Sequence, residues 1–379
     1  MSRRVYLDYN ATSVVRPQAE AAVLAALRLG GNASSVHAAG RAARAMLEEA
    51  REAVAAIAGA RPQDLVFTSG GSEANTLAIA SAVSAGSRRL IIGATEHASV
   101  LDAAAASGAA VELWPVDSNG VADLGWLAER LKTWRAEDGR PFVALMAANN
   151  ETGVVQPVVE ASALVHEAGG WFHVDAVQAT GKIPIDAIAA DTMAMSAHKI
   201  GGPQGSGALI VGCDIELTRR SFGGGQERGR RGGTENLSGI SGFGAAAKAA
   251  TVHPGPNQSA WRDAAATRLE AEAGAVVLGE DAPRLPNTLC FAAPGFSSEL
   301  QVMALDLAGV MVSAGAACSS GKVKSSHVID AMGRGDLGAC SLRVSGGWAT
   351  TEADWSCFVE AWLEAFARHR ARVRNLVEA

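Results

Sequence analysis

Residues 171–202 read WFHVDAVQATGKIPIDAIAADTMAMSAHKIGG. The first five form a short apolar run closed by Asp175, the pattern of a buried strand with a polar side chain at its end. Parallel sheets place ligand-facing residues at that end. Further along stand Ser196-Ala197-His198-Lys199, followed by Gly201-Gly202. A lysine between a serine, a histidine and a glycine pair suits an amine that must reach a bound group. Read alone, Asp175 fits a hydrogen-bonded loop and Lys199 a surface lysine; their order in one α/β chain makes the pair informative.

Working outward, apolar runs at 65–68 (LVFT), 90–93 (LIIG), 111–116 (VELWPV), 142–147 (FVALMA) and 208–211 (ALIV) read as further strands. Helical patterns separate them at 72–85, 124–131 and 158–167, the last stopped by Gly169-Gly170. Such alternation predicts an α/β layer structure with a mostly parallel sheet. After about residue 250 the character changes. The turn-rich stretch 252–257 (VHPGPN) reads as a hinge. Beyond it come a helix, a strand at 287–291, a helix at 298–307, a strand at 310–313, a Gly/Ser loop at 315–326, a helix, a strand at 342–344 and a final helix from Thr351. The expected organisation is a large domain over 15–252 and a smaller α/β domain over 253–379, joined by an extended arm, 1–14, that packs on the smaller domain.

Composition narrows the function. The chain has 379 residues, 48% of them hydrophobic, and a net charge of −6. That length suits two domains. Without a basic excess, neither nucleic acid nor an anionic membrane is an expected partner. The opening MSRRVYLDYN has no apolar core of a signal peptide, and no apolar run reaches the ~18–20 residues that span a bilayer. A soluble, cytoplasmic protein is expected. The five cysteines, Cys213, Cys290, Cys318, Cys340 and Cys357, are widely spaced and include no CxxC pair, so neither a zinc site nor a disulfide framework is expected.

Several stretches can carry chemistry. Thr68-Ser69-Gly70-Gly71-Ser72-Glu73 follows a strand and opens a helix, so free N–H groups and the helix dipole could hold a phosphate. Asp175 could keep a pyridine nitrogen protonated, which makes that ring an electron sink. Ser196 and His198 could bond the phosphate, and Lys199 could join a cofactor aldehyde. These three sites point to pyridoxal 5′-phosphate (PLP). His97, in Thr95-Glu96-His97, could stack on the ring or simply cap a helix. Asn150, in Asn149-Asn150-Glu151-Thr152-Gly153, is placed to meet the cofactor's edge. Cys318 begins a Gly/Ser-rich stretch with no apolar period, which predicts mobility, and Lys322 and Lys324 would favour its thiolate. The other four cysteines lie in or beside apolar patterns and are expected to behave as small core residues. A P-loop at Gly315…Gly321-Lys322 fails: five residues separate the glycines, and Val323 follows the lysine.

The chain resembles the cysteine desulfurases, the NifS/IscS-type branch of the class V aminotransferase-fold enzymes. The resemblance runs nearly end to end, through YLDYNAT (6–12), TSGGSEAN (68–75), TEH (95–97), NNETGVVQP (149–157), HVDAVQ (173–178), SAHKIGGPQGSGAL (196–209), GGGQERGRRGGTEN (223–236), GAACSSG (315–321) and LRVSGG (342–347). It implies the PLP-dependent transferase fold. It also implies that Lys199 holds PLP as a Schiff base, Asp175 pairs with the ring nitrogen and Gln178 with the ring hydroxyl. His97 then stacks on the ring and assists proton transfers. Gly71, Ser72, Ser196 and His198 bind the phosphate, and Thr234 reaches the phosphate in the partner subunit of a homodimer. Arg343 takes the carboxylate of L-cysteine, with Asn150 and Asn32 lining the site. Cys318 takes the sulfur as a persulfide and delivers it to an iron–sulfur scaffold or another acceptor. The resemblance implies no permanent metal, Cys318 serving at most as a transient iron–sulfur ligand shared with a scaffold. The alternative is another class V PLP enzyme, an aminotransferase or a kynureninase- or selenocysteine-lyase-like enzyme; aminotransferases and kynureninase-like lyases do not need the loop cysteine. Two features depart from the family: Ala33 stands where proline is usual, and residues 12–17 read TSVVRP. The short stretch after the last helix implies that a scaffold-docking tail is short or absent.

Overall fold

The computed structural model describes residues 4–185, 188–212, 215–315 and 326–377. The arm contributes β1 (Val5–Tyr6). The larger sheet holds β2 (Leu65–Thr68), β3 (Arg89–Gly93), β4 (Ala110–Trp114), β5 (Phe142–Ala144), β6 (Trp171–Asp175), β7 (Thr192–Ser196) and β8 (Gly207–Val211). Their spatial order is β2-β8-β7-β6-β5-β3-β4. Neighbours from β7 to β4 pair in parallel, and only β8 runs against its neighbours. The mostly parallel sheet of the PLP-dependent transferase fold is therefore present.

β7 was not apparent in the sequence as a strand. Its run TMAMS holds one β-branched residue, yet all five residues are buried between β6 and β8. Burial on both faces, not local preference, makes it a strand. β5 is shorter than the expected 142–147, although Leu145 and Ala147 continue to bond the carbonyls of His173 and Asp175. Those bonds carry the chain to the strand ends where Asp175 sits.

The second part of the chain contains β9 (Val276–Val277), β10 (Thr288–Ala292), β11 (Val310–Met311), β12 (Ser313–Ala314) and β13 (Ser341–Ser345). Four of these form an antiparallel sheet in the order β12-β13-β10-β9. The single strand expected at 310–313 is split. β11 pairs with β1 of the arm, and β12 pairs with β13. The arm packs here: Val5 and Leu7 join a core with Phe291, Phe358 and Trp362. The helix Glu352–Val377 turns Trp355, Phe358, Val359 and Trp362 inward. Cys357 faces out and is exposed, against the expectation of a core cysteine, because it lies off that stripe. Cys290 and Cys340 are buried, and burial pushes the Cys290 thiol up to about 12. Cys213 and Cys318 lie outside the described residues. Among the described residues no helix is long and apolar enough to cross a membrane.

Candidate active site

The ends of β6 and β7, the first turn of the helix Gly71–Ser84, the arm and β12–β13 enclose a cavity of about 430 Å3. Gly71, Ser72, His97, Asn150, Asp175, Gln178, Ser196, His198, Lys199 and Arg343 all line it. A second cavity of about 410 Å3 shares Lys199 but none of these others, so the chemistry belongs to the first.

The strand order brings these residues together. Asp175 closes β6, Ser196 closes β7, and Lys199 follows on a short 3-10 turn. No side chain caps the N-terminus of the helix Gly71–Ser84, so its first turn offers N–H groups to an anion. Gly71 is required by packing: a Cβ there would lie 2.7 Å from Val177 Cγ2.

Lys199 Nζ donates to the carbonyl oxygens of Asn10, at 2.5 Å, and Ala11, at 2.9 Å. Burial, then the nearby Arg343 guanidinium, hold its pKa down to about 8, with Asp175 and Asp8 pulling the other way. An amine that sheds its proton near neutrality is a competent nucleophile. His198 contacts Thr12 Oγ1 at 3.2 Å, and burial followed by Lys199 holds it near 4, so it is neutral. Gln178 donates through Nε2 to the Asn10 carbonyl and accepts from Lys182 at 2.7 Å.

Asp175 accepts from the backbone of Val177 at 2.9 Å and from Asn75 Nδ2 at 2.7 Å. Asn75 also meets His173 Nε2 at 3.0 Å and Ser99 Oγ at 2.9 Å. His97 is the N-cap of the helix Ala98–Ala105, where Nδ1 accepts from Ser99 N, and it also lines the cavity. The helix-capping reading of this histidine therefore holds, and its ring also borders the cavity. Burial pushes the Glu96 carboxyl beside it well up, and the charge of Asp175 adds to this. Arg343 donates to Asp8 Oδ1 at 2.8 Å and to the Asn150 carbonyl at 3.1 Å.

Two predicted residues stay away from this cavity. Asn32 is exposed and its Oδ1 accepts from Ser34 N. Thr234 is exposed on the loop between residues 223 and 236. That loop is held by Glu227, whose carboxylate bonds Arg51 at 2.8 Å and Phe67 N at 2.9 Å. Cys318 belongs to 316–325, outside the described residues, but Ser313 and Ala314 before that stretch line the cavity. After it, Ser326 donates to Glu151 Oε2. Sequence reasoning missed Asn10, Asn75, Ser99 and Lys182. Asn75 lay inside a quoted motif, and a polar residue within a mostly buried helix was the signal.

The donor set fits PLP: an uncapped helix end with Ser72 for a phosphate, a carboxylate for a ring nitrogen, and an amine of lowered pKa. Comparisons with known proteins agree. The Aminotransferase class-V family model matches residues 5–358. A cysteine desulfurase of Cereibacter sphaeroides is 44% identical over 340 residues, covering 87% of each chain. The crystal structure of a NifS-like protein from Rickettsia africae superposes with a TM-score of 0.87 at 30% identity, over 96% of this chain and all of the other. A structure of SspA in complex with cysteine superposes with a TM-score of 0.78 at 28% identity, over 92% of this chain and all of the other. Sequence, sheet order and site thus converge, and the chain belongs to the cysteine desulfurases of the class-V aminotransferase family.

Proposed function

We propose that the chain is a PLP-dependent cysteine desulfurase. It converts L-cysteine to L-alanine, captures the sulfur as a persulfide on Cys318 and passes it to an acceptor protein for iron–sulfur cluster assembly. The observation that carries this reading is the convergence of Lys199, Asp175, His97 and Arg343 on one cavity.

Bound PLP supplies a carbonyl carbon that joins amines and a ring that accepts electrons from the α-carbon. The chain's own residues do the rest. Lys199 supplies the attaching amine. Asp175, held by Val177 N and Asn75, pairs with the ring nitrogen and keeps its proton in place. Gly71, Ser72, Ser196 and His198 bind the phosphate, and Gln178 meets the ring hydroxyl. Arg343 orients the substrate through its carboxylate, with Asn150 alongside. His97 faces the reacting atoms and assists proton transfers there. Cys318 thiolate attacks the substrate sulfur; the C–S bond breaks as the S–S bond forms, and the carbon takes a proton to leave as alanine. Ser313 and Ala314, before 316–325, line this cavity, and Ser326 after it is tied to Glu151, the neighbour of the cavity-lining Asn150.

The enzyme acts as a homodimer in the cytoplasm. The exposed loop bearing Thr234 supports the dimer, since that residue stands away from the cavity lined by Lys199 and suits the phosphate of a partner. Incubation with L-cysteine and a thiol reductant tests the reading. Alanine and sulfide are expected in equal amounts, with sulfide lost in Cys318→Ser. A Cys318→Ser enzyme working at full rate would overturn it.

A further inference from the structure

We propose that Asn75 and Ser99 form a hydrogen-bond relay from Asp175 that fixes His97 as its Nε2–H tautomer, so that His97 offers the cavity a hydrogen-bond donor and not a lone pair. This deepens the proposed function and rests on its reading of His97 as the ring facing the reacting atoms.

The direction of each bond follows from the one before it. A carboxylate only accepts hydrogen bonds. The Asn75 atom 2.7 Å from Asp175 Oδ2 is therefore Nδ2, and Oδ1 faces His173. His173 Nε2 must then carry a hydrogen, and its Nδ1 accepts from the Thr192 hydroxyl at 2.9 Å. His173 is fully buried, and burial holds its pKa down to about 4, so the ring has one hydrogen to place. The second N–H of Asn75 Nδ2 reaches Ser99 Oγ at 2.9 Å. Ser99 accepts there and has its own hydrogen free for His97 Nδ1, at 2.8 Å. The backbone N–H of Ser99 points at the same nitrogen, at 3.1 Å.

Two donors thus converge on Nδ1, and a neutral ring can place its hydrogen only on Nε2. No hydrogen bond from the described residues engages Nε2. Taking a second proton at Nδ1 would break the bond from the Ser99 backbone N–H and force the Ser99 hydroxyl to turn from donor to acceptor, which opposes the cation. The surroundings push the same way. Burial lowers the His97 pKa, Lys199 and His327 add to this, and Asp175 and Asp102 oppose it. A neutral imidazole at the N-terminus of a helix is an electrophile rather than a base. His97 is accordingly set to hydrogen-bond a reacting atom that gains electron density. Ser99 and Asn75 are positioning residues for it.

Long-range proton–nitrogen NMR on the holoenzyme labelled with [15N]histidine reads the tautomer directly, with His97 assigned by the signal lost in His97→Gln. A protonated Nε2 and a bare Nδ1 are expected. In Ser99→Ala an Nδ1–H population should appear. The acid limb of kcat/KM should move up by about half a pH unit, and kcat/KM should fall roughly fivefold, the scale of one hydrogen bond. Ser99→Thr should restore all three. A wild-type His97 bearing its hydrogen on Nδ1 overturns the relay, as does a Ser99→Ala enzyme with unchanged tautomer and pH profile. An Nε2–H tautomer in a protein that releases no alanine from L-cysteine supports the relay while overturning the proposed function.

Discussion

Arg343 on β13 donates from Nη2 to Asp8 Oδ1 of the arm at 2.8 Å, and its side chain is only 7% exposed. The arm therefore supplies the counter-charge for the arginine that should receive the substrate. Its charge is also the second cause of the lowered Lys199 pKa, after burial. Two substitutions separate these effects. Arg343→Lys keeps the charge and loses the planar fork, so kcat/KM for L-cysteine should fall at least about tenfold, chiefly through KM. Arg343→Met removes the charge as well. Lys199 should then hold its proton to a pH above 8, shifting the pH dependence of borohydride-trappable PLP attachment upward.

Gly71→Ala places a methyl group 2.7 Å from Val177 Cγ2. Overpacking of this kind costs about 1–3 kcal/mol and displaces the helix end that should hold the phosphate. PLP should dissociate at least about tenfold more readily, as measured by dialysis and absorbance. A second change, Val177→Ala, should recover much of the loss by opening the space.

Much of this was legible in the sequence, for a physical reason. The β2, β3 and β6 strands are continuous apolar runs, which only a buried sheet accommodates. Asp175 stands out because charge at the end of such a run has a cost, and Lys199 because a serine, a histidine and a glycine pair flank it. β7 was hidden because methionine and alanine carry no strand preference; its neighbours decide it. Asn75 looked like one polar position on a helix, and its value comes from Asp175, distant in sequence. Cys357 was misread because the inward stripe of its helix is set by Trp355, Phe358 and Trp362, a phase that packing reveals.

Glu227 and Arg51 form a buried ion pair, with side chains 2% and 5% exposed. Glu227 also sits at φ +45°, a conformation that a side chain adopts only when its surroundings enforce it. Glu227→Gln leaves Arg51 only the half-exposed Glu48, 3.2 Å away, as counter-charge and should lower stability by about 3 kcal/mol in denaturant unfolding. It should also loosen the loop bearing Thr234. Adding Arg51→Met should return part of the stability, since the buried charge is then gone.

His173 should give the protein an acid-sensitive step. Burial holds its pKa at about 4, down from 6.5. In the unfolded chain it protonates first, so protons favour unfolding between those two values. Stability due to neutral His173 is complete above about pH 6.5 and is lost as pH falls toward 4, amounting to roughly 3 kcal/mol. Urea midpoints measured across that window should fall less steeply for His173→Gln than for the wild type.

Sulfur capture is best tested on the cysteine itself. The holoenzyme is mixed with one equivalent of L-cysteine, its thiols are alkylated, and the peptide carrying Cys318 is weighed by mass spectrometry. The expected result is one added sulfur on Cys318 with a matching yield of alanine. Alanine formed in full yield with Cys318 unchanged, or with the sulfur on the exposed Cys357, would contradict it.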